Sequence, residues 1–230
     1  MARKPIIAID GPSGVGKTTA SKAVAAQLGF TYIDTGAMYR AVGLLATRRG
    51  LPPEQTPELV SLLSDLDLRF ERTNGAQRVI ANGEDVSAAI REHAASAAAS
   101  AFSRIPAVRT AMVAQQRKMG AAGAVVMEGR DIGSNVFPDA ELKVFLTATP
   151  EVKAKRRYEE LRARGEDVDY EKILQDQNLR DEADSNRSLN PLIQTEDARV
   201  LDTSDLDADQ VVQTIVSWAR EIMASAEKTS

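Results

Sequence analysis

Three observations predict an α/β fold, a doubly wound five-stranded parallel sheet carrying an antiparallel insertion. Short apolar runs at Ile6–Ile9, Phe30–Asp34, Ala124–Met127, Leu142–Leu146 and Val200–Asp202 alternate with stretches of helical period. The first run stops on a glycine-rich loop that opens straight into a helix. Between Leu68 and Ala81 the period changes to two, which is foreign to a parallel core and marks an insertion.

Ile6-Ile7-Ala8-Ile9-Asp10 reads as a fully buried strand, followed by Gly11-Pro12-Ser13-Gly14-Val15-Gly16-Lys17-Thr18-Thr19. Gly11 and Gly16 bracket four residues ahead of Lys17-Thr18, so G-x-x-x-x-G-K-T is matched in full. A triphosphate needs backbone N–H groups converging on it without Cβ atoms in the way, and Gly11, Gly14 and Gly16 allow that approach. The following helix adds the positive end of its dipole. Lys17 can reach the β- and γ-phosphates and the Thr18 hydroxyl can ligate Mg²⁺. Thr19 is also a hydroxyl, and the motif favours Thr18.

Helix runs from Thr18 to Leu28, with Ala20, Val24 and Leu28 on one face and Gly29 closing it. After the Phe30–Asp34 strand, Thr35-Gly36 starts a helix with Met38, Val42 and Leu45 on one face. Asp34, Thr35, Tyr39 and Arg40 thus cluster at the carboxyl end of a strand, where open α/β sheets bind ligands. Leu51-Pro52-Pro53 breaks the chain, and Pro57–Leu66 is a short helix. Leu68–Arg72, a turn at Asn74-Gly75, Gln77–Ala81 and a turn at Asn82-Gly83 describe a meander. Ile90 to Gly120 is alanine-rich helix interrupted near Pro106, a composition that reads as close helix packing.

The Ala124–Met127 strand ends in Glu128-Gly129-Arg130-Asp131. From about Pro150 to Gly165 the chain is helical and carries Lys153, Lys155, Arg156, Arg157, Arg162 and Arg164. Helix resumes near Tyr170 and runs toward Asp184-Ser185-Asn186-Arg187. Val212, Ile215, Ala219 and Ile222 mark the last amphipathic helix. The expected organisation is one domain: core at 1–60, 101–150 and 190–230, insertion at about 60–100, and a helical lid at about 151–170.

Composition narrows the function. A net charge of −4 leaves no basic footprint for a nucleic acid polymer. Without cysteine there is no disulfide framework and no thiolate nucleophile or metal site. His93, the single histidine, argues against histidine-based catalysis and reads as a surface or packing residue. Apolar runs are all too short for a membrane span, and Met1–Lys4 lead into a strand rather than a signal segment. A cytoplasmic, monomeric enzyme is expected.

A phosphate loop alone does not distinguish a switch, a motor or a kinase. An Asn-Lys-x-Asp guanine-reading motif is absent, which argues against a GTPase switch. Met127-Glu128 could end a motor ATPase strand, but no partner-coupling module is evident. A small-molecule kinase needs arginines in two groups, one for the acceptor and one for the donor phosphates. Arg40, Arg109, Arg130, Arg180 and Arg187 lie outside the loop's own helix, while Arg156 and Arg157 sit on a helix that could close as a lid.

Residues 11–17, Asp34-Thr35-Gly36-Ala37-Met38-Tyr39-Arg40, Glu128-Gly129-Arg130-Asp131-Ile132-Gly133, Val136-Phe137-Pro138-Asp139 and the Arg180/Asp184/Arg187 group resemble the bacterial cytidylate kinases, P-loop nucleoside monophosphate (NMP) kinases. The resemblance spans almost the whole chain, with the β insertion serving as the NMP-binding part. It implies ATP- and Mg²⁺-dependent phosphorylation of CMP and dCMP. On that analogy Arg40, Arg130 and Arg187 hold the acceptor phosphate, with Thr35 and Tyr39 beside it. Ser100, Arg109 and Asp131 read the cytosine edge, and Arg180 and Asp184 meet the sugar. Lys17, Arg130, Arg156 and Arg187 would serve the transfer, and Arg157 with residues Gly11 to Thr19 would hold the donor. Glu128 would hold a metal-bound water beside Thr18. Other readings are a shikimate-type or uridylate/cytidylate kinase, or a nucleotide-dependent binding switch.

Overall fold

The computed structural model describes residues 4–73 and 76–228. Its elements are β1 (Ile6–Asp10), α1 (Lys17–Leu28), β2 (Thr31–Asp34), α2 (Thr35–Arg48), α3 (Pro57–Ser64), β3 (Leu68–Thr73), β4 (Ala76–Ala81), β5 (Glu84–Asp85), α4 (His93–Phe102), α5 (Pro106–Gly120), β6 (Val125–Glu128), β7 (Leu142–Thr147), α6 (Pro150–Ala163), α7 (Tyr170–Asn186), β8 (Arg199–Asp202) and α8 (Ala208–Lys228). They form two compact units, one holding the chain as far as Tyr32 and again from Gly120 onward, the other Ile33–Met119. The period-two stretch lies inside the second.

In the first unit the five-stranded sheet has the order β2-β6-β1-β7-β8. β1 is central, pairing in parallel with β6 (Ile9 opposite Glu128) and β7 (Ile9 opposite Val144), while β7 pairs in parallel with β8. All five residues of β1 are buried, the environment its apolar run requires. Val24 and Ala25 of α1 and Val212, Ile215, Val216 and Ala219 of α8 pack with Ile7, Ile9, Val126, Val144 and Leu146. Each valine, leucine and isoleucine among them contributes roughly 1.5–3 kcal/mol by leaving water, so β1 is anchored by burial before any ligand arrives. α1 begins at Lys17, one residue before the expected start, because Gly16 takes the left-handed conformation (φ 89°) and forms the cap.

The second unit contains the three-stranded sheet β3-β4-β5. Leu68 pairs with Ala81 and Phe70 with Val79 in antiparallel register. The expected Asn74-Gly75 turn lies outside the described residues, as does the side chain of His93. Asn82 (φ 51°) and Gly83 (φ 83°) form the other turn with the paired positive φ values that suit a tight hairpin. Thr56 accepts the Leu59 N–H ahead of α3, with Pro57 at its first position. Met38, Ala41, Val42 and Ala46 of α2 are buried. α2 meets α4 so closely that a Cβ on Gly43 would stand 2.9 Å from both the carbonyl carbon and the Cβ of Ala98. Close helix packing is thus the role of this alanine-rich stretch. No helix among the described residues is long and apolar enough to cross a membrane.

Gly43→Ala should therefore lower stability by about 1–3 kcal/mol through overpacking, despite alanine's better helix propensity. Chemical denaturation measures it; an unchanged or raised midpoint would show that α2 and α4 separate without cost.

Candidate active site

The site grows from the end of the central strand. Gly11 adopts φ 147°, and a Cβ there would lie 2.2 Å from the Leu146 carbonyl oxygen of β7, so the loop runs flush against the neighbouring strand. No side chain caps α1 at Gly16, which leaves the first-turn N–H groups directed at the loop's mouth. Lys17 is buried, and its Nζ donates to the Pro12 carbonyl at 2.5 Å. Burial chiefly, then the Arg130 guanidinium, hold its ammonium well below the usual lysine range, against the opposing pull of Glu128 and Asp10.

Glu128 is buried at the end of β6. The Thr18 hydroxyl donates to its Oε2 at 3.1 Å and the Tyr32 hydroxyl to its Oε1. A hydroxyl and a carboxylate, both hard oxygen donors, are thus adjacent at the start of α1. Asp10, one residue before Gly11, reaches the turn that follows β6: its carboxylate accepts the Ile132 N–H at 2.9 Å and the Gly133 N–H at 2.7 Å. Burial pushes this carboxyl up to about 6, although the two N–H donors and Lys17 act against it.

The same turn presents Arg130 and Asp131 to α7. Arg130 Nε donates to Asp184 Oδ2 at 2.9 Å, and Arg187 Nη2 donates to Asp131 Oδ1 at 3.1 Å. Asn135 donates to the other Asp131 oxygen at 3.1 Å. Burial alone would raise the Asp184 carboxyl, but Arg130, Arg180 and Arg187 together hold it below the usual range. The structure thus brings Lys17, Thr18, Glu128, Arg130, Asp131, Arg180, Asp184 and Arg187 into one charged constellation.

Of the α6 cations, Arg156 donates to Thr203 Oγ1 at 2.9 Å and to its carbonyl at 2.6 Å, and Arg157 pairs with Glu160 at 2.8 Å. Within the second unit, Asp34 caps α2 by accepting the Ala37 N–H at 2.8 Å and pairs with Arg40 at 3.0 Å. The Arg109 guanidinium lies over the Tyr39 ring at 5.8 Å, and both Thr35 and Arg109 are buried. Ser100 sits on α4, where its carbonyl accepts from Ser103 at 3.0 Å.

Sequence reasoning assigned no role to Asp10, Tyr32, Asn135 or Asp181. Asp181 accepts the Ser13 N–H at 3.2 Å and pairs with Lys153 at 2.5 Å. The available signals were an acid ending an apolar strand, a tyrosine in the next strand, and an acid directly after Arg180.

The family model for cytidylate kinase matches residues 7–221. A cytidylate kinase from Syntrophotalea carbinolica is 49% identical over 221 residues, covering 96% of this chain and 94% of that protein. One from Pelotomaculum thermopropionicum is 47% identical over 215 residues, covering 93% and 95%. A bifunctional pantoate ligase/cytidylate kinase from a Synechococcus species is 47% identical over 223 residues, which is 96% of this chain and 44% of that protein. Among solved structures, a gluconokinase from Sinorhizobium meliloti matches with a TM-score of 0.53 at 14% identity, covering 100% of this chain and 99% of that one, a likeness of fold.

The raised Asp10 carboxyl has a signed consequence. Its contribution to stability is fully present below the ordinary value of 3.8 and is lost as pH rises through about 6. Relative to Asp10→Asn, the native chain should gain on the order of 1 kcal/mol between pH 7 and pH 5. Urea unfolding of both proteins at the two pH values measures this; parallel changes would mean that the carboxyl titrates normally.

Proposed function

This chain belongs to the cytidylate kinase family, and we propose that it transfers the γ-phosphoryl group of ATP to CMP and dCMP, giving CDP or dCDP and ADP. One observation carries the reading. The phosphate loop and the Gly129-Arg130-Asp131 turn leave the carboxyl ends of paired strands, and the Asp10 carboxylate ties them together. A donor loop is thereby joined to a turn whose arginine and carboxylate suit a phosphate and a cytosine.

In this reading residues 11 to 19 cradle ATP, and Thr18 is the hydroxyl that meets Mg²⁺. Its 3.1 Å contact with Glu128 supports Thr18, with Glu128 acting through a water. Thr18, with Glu128 through a water, would hold Mg²⁺, whose charge would offset that of the phosphates. Arg130, Arg187 and Arg40 hold the CMP phosphate, each exchanging its carboxylate partner for the ligand. Asp131 accepts from the exocyclic amine at C4, Arg109 and Ser100 complete the reading of the base, and Arg180 and Asp184 meet the sugar. Thr35 and Tyr39 support the same acceptor. An acceptor phosphate oxygen attacks the γ-phosphorus in line while the bond to the β-phosphate oxygen breaks, with no covalent enzyme intermediate. Lys17, Arg130 and Arg187 carry the developing charge, and Arg156 joins them by leaving Thr203, while Arg157 leaves Glu160 to help hold ATP. A chain without cysteine suits the reducing cytoplasm, where we expect it to act as a monomer.

Coupled ADP-release assays with CMP, dCMP, UMP and AMP test the proposal. Uracil presents an oxygen where Asp131 needs a donor, so kcat/KM for UMP should fall roughly 10- to 100-fold below that for CMP. No ADP above an acceptor-free control would end the kinase reading. Asp131→Ala should raise the KM for CMP far more than that for ATP; equal effects would remove the base-reading role.

A further inference from the structure

We propose that Asp181 is a positioning residue for the donor site: neutralised by Lys153, its carboxylate seats the phosphate loop on helices α6 and α7. The inference rests on the kinase reading and adds a pair to which that reading assigns no part.

The geometry is that of a partly buried relay with its lysine inside. Lys153 on α6 is 6% exposed and its ammonium lies 2.5 Å from Asp181 Oδ2 on α7. The other oxygen, Oδ1, accepts the Ser13 N–H at 3.2 Å. At the next residue, a Cβ on Gly14 would meet the Lys153 Cβ at 3.1 Å and the Lys153 carbonyl and Gln177 Nε2 at 3.2 Å. Both helices therefore abut the loop at Ser13–Gly14. One turn further along α6, Arg156 grips Thr203, whose hydroxyl is shared between the Thr147 carbonyl at 3.1 Å and the Val15 carbonyl at 3.2 Å. Loop residues on either side of Gly14 are thus linked to α6 through intermediaries, Ser13 by way of Asp181 on α7 and Val15 by way of Thr203.

Charge makes the pairing more than structural. A lone carboxylate on the Ser13 amide would oppose a triphosphate in the same loop, in surroundings where water screens poorly. Lys153 cancels that charge while Asp181 keeps the amide. Removing the lysine alone should therefore be worse for ATP than removing both charges, an order that loss of packing does not produce.

The test compares Lys153→Met, Asp181→Asn and the double variant, reading ATP affinity by calorimetry without acceptor, KM for both nucleotides, and thermal midpoint. Lys153→Met should weaken ATP binding about tenfold, with the KM for CMP shifting less than about twofold. Adding Asp181→Asn should recover most of that loss, because asparagine retains an oxygen for Ser13. Asp181→Asn alone should bind ATP at least as well as the native chain, and it carries the test if Lys153→Met does not fold. A double variant no better than Lys153→Met, a parallel rise in the KM for CMP, or weaker ATP binding by Asp181→Asn would each overturn the proposal. Turnover of CMP by the native protein tests the kinase reading separately.

Discussion

The buried carboxylate of Asp10 is the constraint on which the rest of the site depends. It ends the central strand, directly precedes the phosphate loop, and takes the two amides that follow Asp131. Burying an acid costs free energy that only good hydrogen bonds offset, and here the donors are rigid backbone N–H groups. Without that carboxylate the Ile132 and Gly133 amides would be left unsatisfied beside the loop. The turn bearing Arg130 and Asp131 would then lose the side-chain tie that joins it directly to the residue before the phosphate loop.

Within each unit, cations are stored in pairs. Arg40 holds Asp34, Arg130 holds Asp184 and Arg187 holds Asp131, all in a chain whose net charge is −4. Such arrangements keep guanidinium groups extended, lowering the conformational entropy lost when an anion arrives. They also favour ligands able to replace a carboxylate in both charge and geometry. A phosphate does so; a neutral metabolite of similar size does not.

Local signals were legible in the sequence, and long-range ones were not. Gly29, Pro106, Pro150 and Gly165 stand where helices end or begin, so those boundaries were readable from backbone chemistry alone. The phosphate loop was legible for the same reason. Alternation of apolar runs and helices implies a parallel sheet but leaves the order β2-β6-β1-β7-β8 open. Among the six cations of α6 and its end, spacing cannot say that Lys153 is buried against Asp181 while Arg156 turns to Thr203 and Arg157 to Glu160. Those fates depend on partners up to 47 residues away. Tyr32 is legible only as a strand residue; the fold shows its hydroxyl reaching Glu128.

The separations in the loop's contacts bear on how the protein is made. Every residue of the phosphate loop lies within the first nineteen, yet Asp10 meets a turn 122 residues on, Ser13 a carboxylate 168 on, and Val15 a hydroxyl 188 on. During synthesis the motif therefore leaves the ribosome long before the groups that shape it, and closing such loops is slow. A nascent chain stalled before Asp181 carries the whole phosphate-loop motif without the Asp181 and Thr203 groups that its backbone meets.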